Sequence, residues 1–493
     1  MKGNAFTRWW DATSVAQTAH RGESIPSLII KGLQSMLVMF GATIIVPLTL
    51  GMSPQITLFG MGIGTLLFLM ITKGKSPLTM GSSFAFMIGV LGVIDVRNGP
   101  FANYFYMVNG QERVIELFTH DERLQYALGG ILAAGVVYLI FSALVKLIGA
   151  NKFMNILPHA VTGPTVVLIG VTLAPHAINQ FASNWILGPL TAVLIIAVMM
   201  FAKGKMKAFP ILIGLAGAYL VAVLMSMAGA EVLYSEGFVL VHTGFDLDMY
   251  YTYTRIAAPE LNVYHPLVYF APVADANLFG LPPFMTPRFA LAPILMMAPF
   301  ALATVAENIA DHVIVGAEMG EDLVREKPGL SRTLFADGLQ SMAVAAFGTP
   351  MNTTYSENVG LLIISKVFSS VVVAIGAVFA ILLGLSPAFA AVIQSIPVSI
   401  IGGASIMLYG MIASIGMRNV KEHVDLNIEK YLIIMSVMLV VGIGMRFGNI
   451  IRIEIADNVI RLDRMNLPVA IILGVILNAV LPNKAGLGVN TSK

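Results

Sequence analysis

The chain has 493 residues, of which 57% are hydrophobic and only 11% are charged, and its mean hydropathy is +0.83. Soluble domains carry about 25% charged residues, so this composition excludes a soluble enzyme, a nucleic-acid binder and a disordered chain. The net charge of +2 implies no polyanionic partner, and the lack of cysteine excludes disulfides, thiol nucleophiles and Cys-ligated metals. The sequence therefore predicts an all-α polytopic membrane protein.

Apolar runs follow one another along most of the chain. Residues 1–25 are polar and basic, which is untypical of a cleavable signal and predicts a cytoplasmic N-terminal segment. Because a helix needs about 20 apolar residues to cross the hydrocarbon, we count about fourteen spans, several of them short or broken. They lie at 28–50, 55–72, 78–95, 126–148, 159–178, 185–202, 208–229, 289–316, 334–348, 353–369, 370–386, 390–416, 430–446 and 466–482.

The distribution of basic residues predicts the orientation. An even number of spans puts both ends on one side, and with the N-terminus inside, twenty of the 29 Lys and Arg residues lie in the cytoplasm. The sequence thus predicts a protein of the cell (inner) membrane with cytoplasmic termini, the second being a tail at 483–493. Four arginines at 446–464 fall on the outer side against this pattern. Two polar inserts, at about 96–125 and at 230–288, are predicted to be extracellular.

Two pairs of similar segments indicate that the chain consists of two related halves. The segments beginning at Pro158 and Pro397 share a Pro-x4-Gly spacing, and each opens an apolar span. Short polar, strand-like runs at 80–84 and 352–356 each follow a proline. These pairs predict two inverted seven-span repeats, with spans 3 and 10 broken by short strands. The pentapeptide Gly-Leu-Gln-Ser-Met, found at 32–36 and again at 338–342, does not fit that register, and we interpret it as chance.

The two polar runs are candidates for a binding site. Non-helical backbone within a membrane persists only where it is buried in protein or lines a cavity. Each run leads into a helix, so each supplies a helix N-terminus with free N–H groups and a positive dipole end. Two such ends that meet would form a pocket rich in hydrogen-bond donors.

Several carboxylates fall inside predicted spans of the second half. Glu307 and Asp311 are four residues apart on one helical face, Glu357 follows the second polar run, and Asp337 lies near the start of span 9. An ionisable group at the bilayer centre costs about 2.5–3.5 kcal/mol on insertion scales, so each needs a reason. Substrate binding is one reason, and a polar network between helices is the alternative. His312 points about 100° away from Asp311, and we interpret it as structural, with no metal site predicted.

A neutral lactam ring fits this set of groups best. Its ring N–H groups donate to carboxylates and its carbonyl groups accept from amides, whereas an anion would be repelled by the acids and a metal cation by the amides. Uracil and xanthine are rings of this kind. Three aromatic side chains, Phe84, Tyr355 and Tyr409, are placed either to face a flat ring or to pack in the core.

At these residues the chain resembles the nucleobase/ascorbate transporter family, and within it the branch of bacterial uracil permeases. The matching segments are 34–43, 81–86, the helix around Ala306 and Glu307, 352–360 continuing to Ser365 and Lys366, and 405–410. The stretch from Glu357 to Lys366 is similar to the family signature of an acid or amide, Asn, x, Gly and a later basic residue. In combination these motifs are specific, although each alone is not.

The resemblance implies fourteen spans divided between a core domain (spans 1–4 and 8–11) and a gate domain (spans 5–7 and 12–14). On this chain the core comprises 26–149 and 289–386, and the gate comprises 150–229 and 387–482. Transport in the family is coupled to protons or sodium and proceeds by motion of the core against the gate, so the resemblance implies no cofactor beyond the co-transported ion. The partners are a small nucleobase and the lipid bilayer, and a homodimer is left open.

The resemblance also implies roles for individual residues. Glu307 and Glu357 would accept the ring N–H groups, and the backbone amides of Phe84 and Ser356 would donate to the ring carbonyls. Lining positions would be filled by Tyr355, Tyr409 and the backbone of Ala42. Because acids close together in a low dielectric cannot all stay ionised, Asp311, Glu307 and Asp337 are the candidates for proton coupling, with Asp311 or Glu307 as the carrier.

The sequence departs from the uracil branch at several of these positions. Uracil permeases usually have His where this chain has Asp311, and Gly where it has Ser356; many members have His where it has Ser35. Asp337 resembles an acid of the xanthine branch. A xanthine or purine symporter of the same fold is therefore the alternative, followed by an anion exchanger of related architecture. The lack of HExxH and GxSxG motifs argues against an intramembrane hydrolase, and the lack of a filter signature against a channel.

Overall fold

A computed structural model describes residues 24–95, 100–101, 104–108, 111–115, 117–204, 206, 209–235, 238–239, 263–268, 270–355, 359, 362, 367–447, 452–455, 458–461 and 465–482. The helices of the first half are α1 (Ile25–Leu50), α2 (Pro54–Thr72), α3 (Phe84–Ile94), α4 (His120–Ile148), α5 (Ala150–Ile156), α6 (His159–Ala182), α7 (Leu187–Phe201) and α8 (Pro210–Met227). Those of the second half are α9 (Ala271–Ala274), α10 (Leu291–Met297), α11 (Ala301–Met319), α12 (Leu330–Ala345), α13 (Ser370–Gly384), α14 (Pro387–Gln394), α15 (Val398–His423), α16 (Glu429–Phe447) and α17 (Asn466–Val480). A 3-10 turn, Ala298–Phe300, joins α10 to α11.

Many of these helices are long and apolar enough to cross a membrane. Within the described ranges, six candidate spans pass this test: α2, α4, α6, α8, the unit from α10 to α11, and α15. A seventh results if α13 and α14, which are bent by 84° at their junction, are taken as one span. Shorter apolar helices include α3, α7 and α17. The protein is thus an integral, multi-pass and mostly helical membrane protein.

Short strands occur at both polar runs and in the inserts. Strand β1 (Met80–Ser82) pairs antiparallel with β7 (Asn352–Thr354), with Gly81 opposite Thr353. In the predicted outer inserts, β2 (Tyr104–Val108) pairs with β3 (Gln111–Ile115), and β4 (Glu231–Ser235) lies between β5 (Phe238–Val239) and β6 (Val263–Pro266). A further hairpin, β8 (Arg452–Ile455) with β9 (Asn458–Arg461), lies where the four arginines oppose the charge pattern.

The helices pack mainly within two groups. In the first group α12 packs on α4 and α2, and α13 packs on α1 and α2. In the second, α15 packs on α6 and α7, and α16 packs on α6 and α17. Close approach within the first group depends on small residues: a Cβ added at Gly338 would lie 2.6 Å from Tyr138 Cβ and 3.0 Å from the carbonyl oxygen of Gly135.

The last part of the second insert, residues 276–288, lies across the ends of several helices. Backbone hydrogen bonds of 2.9–3.1 Å join it to Leu385, Phe347 and Gln125. The ring of Phe284 contacts those of Phe59 and Phe347, with a centroid separation of 5.9 Å in each case and near-perpendicular planes. This segment therefore links α2, α4, α12 and α13 at one end of the first group.

Candidate substrate site

The candidate site is built around the β1–β7 pair, whose six residues are all buried. The backbone N–H of Ser83 donates to the Met351 carbonyl at 2.9 Å and so extends the pairing by one bond. The Ser83 side chain then accepts from the N–H of Phe86 at 3.4 Å, which caps α3 directly after β1. A helix N-terminus is therefore fixed beside the β1–β7 pair.

One aromatic pair and a third aromatic side chain lie beside the β1–β7 pair. The rings of Phe84, at the start of α3, and Tyr409, on α15, meet edge to face with centroids 5.6 Å apart and planes at 78°. Both side chains are buried. Tyr355 follows β7 and packs against Gly81 so closely that a Cβ there would overlap its ring. Three aromatic residues predicted from the sequence are thus arranged around the two strands, and their contact with a substrate stays a prediction.

Asp337 is held by hydrogen-bond donors from three elements. Its carboxylate accepts from Asn308 Nδ2 of α11 at 2.8 Å, from Gln340 Nε2 of α12 at 3.0 Å and from the backbone N–H of Thr354 in β7. Gln340 Nε2 also donates to the Asn352 carbonyl at 2.8 Å, which fixes the orientation of its amide. This cluster connects the helix that carries Glu307 to strand β7.

The other acids of the second half lie near this cluster. Asp311 is 2% exposed, whereas Glu307, one turn earlier on α11, is partly exposed. The fully buried Tyr138 of α4 lies within electrostatic range of Asp337, Glu307 and Asp311. The tertiary structure therefore gathers the three acids predicted for proton coupling around one tyrosine, while their roles remain untested.

His312 has the structural environment that the sequence indicated. Its Nδ1 donates to the Asn308 carbonyl at 2.7 Å, and its Nε2 lies 3.0 Å from Ser76 Oγ. Since a carbonyl only accepts, Nδ1 carries the proton, and a neutral ring then accepts from Ser76. The imidazole thus ties α11 to the segment before β1.

The side chains of three residues of the predicted site are not among those that the structure describes. Ser356 and Glu357 lie outside the described residues, so the distance between Glu307 and Glu357 stays a prediction. Ala42 lies within α1, but its side chain is also outside the description.

Sequence reasoning missed the residues that assemble the site. Asn308, Gln340 and Tyr138 received no role, although Asn308 directly follows Glu307. Gln340 and Ser341 belong to the pentapeptide interpreted as chance, and both donate to the Asn352 carbonyl. The available signal was the presence of amide side chains in apolar spans, which need buried partners.

Comparisons with known proteins give the family. The model of xanthine and uracil permeases, described as "Permease family", matches residues 26–451. The chain belongs to this permease family, the nucleobase/ascorbate transporters. It is therefore a membrane transport protein rather than an enzyme, and the resemblance drawn from its motifs is confirmed.

Curated relatives of this permease match over most of their length. The uracil permease of Bacillus subtilis is 32% identical over 470 residues, which cover 91% of each chain. The putative pyrimidine permease RutG of Escherichia coli is 34% identical, covering 84% of this chain and 82% of the relative. The uracil permease of Escherichia coli is 32% identical, with coverage of 84% and 83%.

Solved structures show the fold of this permease. The transmembrane domain of a cyanobacterial bicarbonate transporter, BicA, aligns with a TM-score of 0.56 and 13% identity, covering 92% of this chain and 96% of that domain. SLC26A9 aligns with a TM-score of 0.59 and 10% identity, covering 97% and 69%. At these identities the likeness concerns the fold alone.

Proposed function

We propose that this permease imports uracil across the cell membrane by proton symport. One observation carries the proposal. The α3 N-terminus, the acids of α11 and α12, and the rings of Phe84 and Tyr409 all lie near the buried β1–β7 strand pair. A lactam ring needs acceptors for its N–H groups and donors for its carbonyls, and this arrangement supplies both. Relatives named uracil permease over more than four fifths of the chain support the same substrate.

Binding by purified protein tests the substrate. A thermal-shift panel of bases at two pH values should show stabilisation by uracil, because a ligand that binds only the folded state raises the unfolding temperature. Glu307→Gln and Glu357→Gln should abolish or weaken this shift by removing acceptors for the ring N–H groups. Glu318→Gln, an exposed glutamate on the same α11 helix, is the matched control and should leave it unchanged. Unaltered uracil affinity in both pocket variants would refute the assignment.

A purine substrate is the second candidate because Asp311 and Asp337 both lie in the acid cluster, and Asp337 resembles an acid of the xanthine branch. Competition of labelled uracil uptake by xanthine distinguishes the two. Sulfate or bicarbonate exchange would instead favour the anion exchanger.

For coupling, we assign the movable proton to Asp311 or Glu307. Carboxylates gathered around one tyrosine in a low dielectric cannot all be ionised, so at least one should hold a proton. Asp337 is the third candidate: its three partners are donors that stabilise the ionised form, whereas its complete burial opposes ionisation. Sodium remains the alternative coupling ion, and uptake driven by a pH gradient in sodium-free vesicles would separate the two.

For the transport motion, we propose that the first helix group moves against the second, as core against gate. The separate packing of the two groups supports this proposal. At the end of α3 that leads to the first insert, Ile88 and Leu91 pack against α6 and α16 around a cavity of only about 10 Å³. Arg446 Nη2 lies 3.2 Å from His176 Nε2 at the same place and joins α16 to α6 within the second group.

A further inference from the structure

A second, larger cavity lies at the opposite end of α6, between that helix and α11. It has a volume of about 320 Å³ and separates α11 from α5, α6 and the end of α15. The charge pattern assigns these helix ends to the cytoplasm. Ala310 contributes to one wall, and Asn155, His159, Thr162 and His423 contribute to the other.

The face of α11 that carries Glu307 also contributes to the wall of this cavity. Glu307 and Ala310 are one turn apart on the same face, and both are partly exposed. Asn308, between them, is fully buried, and Ile309 lines the cavity together with Ala310. A ligand that moved from Glu307 along this face would reach the cavity at Ala310.

One residue that lines the cavity, Thr162, carries a polar group without a hydrogen-bond partner among the described residues. The Thr162 side chain is 3% exposed, and its Oγ1 has no hydrogen-bond partner among the described residues. A buried hydroxyl without a hydrogen-bond partner lowers the stability of the folded protein. A hydroxyl can both donate and accept a hydrogen bond. This group is thus suited to a ligand that offers an N–H or a carbonyl.

The cavity also has a flat wall and little free charge. The rings of His159 and His423 are stacked with centroids 4.4 Å apart and planes at 18°. The guanidinium of Arg325, at the rim, is paired with Asp322 at 2.9 Å. The described lining includes no carboxylate. A flat, uncharged ring fits these walls better than an anion does.

We propose that this cavity is a transit site for the transported lactam ring between the central pocket and the cytoplasm, with Thr162 as its hydrogen-bonding anchor. The inference rests on the proposed function, and it adds a second binding position on the cytoplasmic side. Because the ring visits it only in passing, Thr162 affects entry and release from that side and not the equilibrium affinity of the central pocket.

Substitution of the hydroxyl tests the anchor. In inside-out vesicles, Thr162→Val should raise the KM for uracil about three- to tenfold, the effect of one lost hydrogen bond, while the Kd of the purified protein stays within about twofold. Thr162→Ser should restore the KM. Thr165→Val is the matched control, since Thr165 Oγ1 is already bonded to the Val161 carbonyl at 2.8 Å on the same helix. A wild-type KM in Thr162→Val, or an equal rise in Thr165→Val, would overturn the transit site.

Labelling tests the route independently of transport. The sequence contains no cysteine, so Ala310→Cys introduces a single thiol. A membrane-impermeant maleimide should label it in inside-out vesicles, as it labels the exposed control Lys152→Cys. Labelling of the control alone would show that the cavity does not reach α11. If the wild-type protein neither binds nor transports uracil, the proposed function fails; if it does both and only the Thr162 and Ala310 results are negative, the transit site alone fails.

Discussion

The hydrogen bonds around Asp337 give a sharp prediction for Asp337→Asn. The carboxylate accepts from Asn308 Nδ2 at 2.8 Å and from Gln340 Nε2 at 3.0 Å. An asparagine presents one oxygen and one NH2 group, so one of the two amides would face a donor instead of an acceptor. A lost hydrogen bond to a charged group costs about 1.5–3 kcal/mol and a buried unsatisfied donor about 1–3 kcal/mol.

The net effect is smaller than the sum of these costs, because an amide is easier to bury than a carboxylate. We therefore expect Asp337→Asn to lower the stability by about 1–3 kcal/mol and to reduce uracil uptake, since β7 loses its anchor. The swap Asn308→Asp with Asp337→Asn restores a donor opposite an acceptor and should recover at least about 1 kcal/mol.

Thermal unfolding of purified protein measures stability, and labelled uracil uptake in cells measures function. Asp121→Asn, an exposed aspartate at the start of α4, is the matched control and should behave as wild type. The reasoning is refuted if Asp337→Asn is as stable as wild type or if the swap is no more stable than either single variant. Recovery of stability in the swap without recovery of pH-driven accumulation would instead favour a proton-carrying role for Asp337.

Three further predictions concern coupling, the pocket and the outer segment. Asp311→Asn should uncouple uptake from the pH gradient, and full pH-driven accumulation in vesicles would remove Asp311 from the mechanism. Gly81→Ala should weaken uracil binding in a thermal-shift titration by displacing Tyr355, whereas Gly410→Ala, where a Cβ meets nothing within 4 Å, should bind as wild type. Phe284→Ala should lower the unfolding temperature through a loss of about 1–2 kcal/mol from two aromatic contacts, and an unchanged temperature would contradict this packing.

The family and the broad class followed from local patterns in the sequence. Low charge and repeated apolar runs are sufficient to predict a polytopic membrane protein, because each span must satisfy its own backbone and face lipid over much of its surface. The short polar runs at 80–84 and 352–356 and the acids of α11 were also visible, since such residues are rare in apolar spans. The number of spans and the two domains remain predictions, as do the roles of the site residues.

What the sequence by itself determined is the membrane class, the family and the set of unusual polar residues. Only the tertiary structure decided that β1 pairs with β7, that Asn308 and Gln340 both donate to Asp337, and that Thr162 lines a cavity. These facts depend on which helices pack together across the chain. Helical periodicity shows which face of a span is polar, but the partner of that face is set by contacts between segments far apart in sequence.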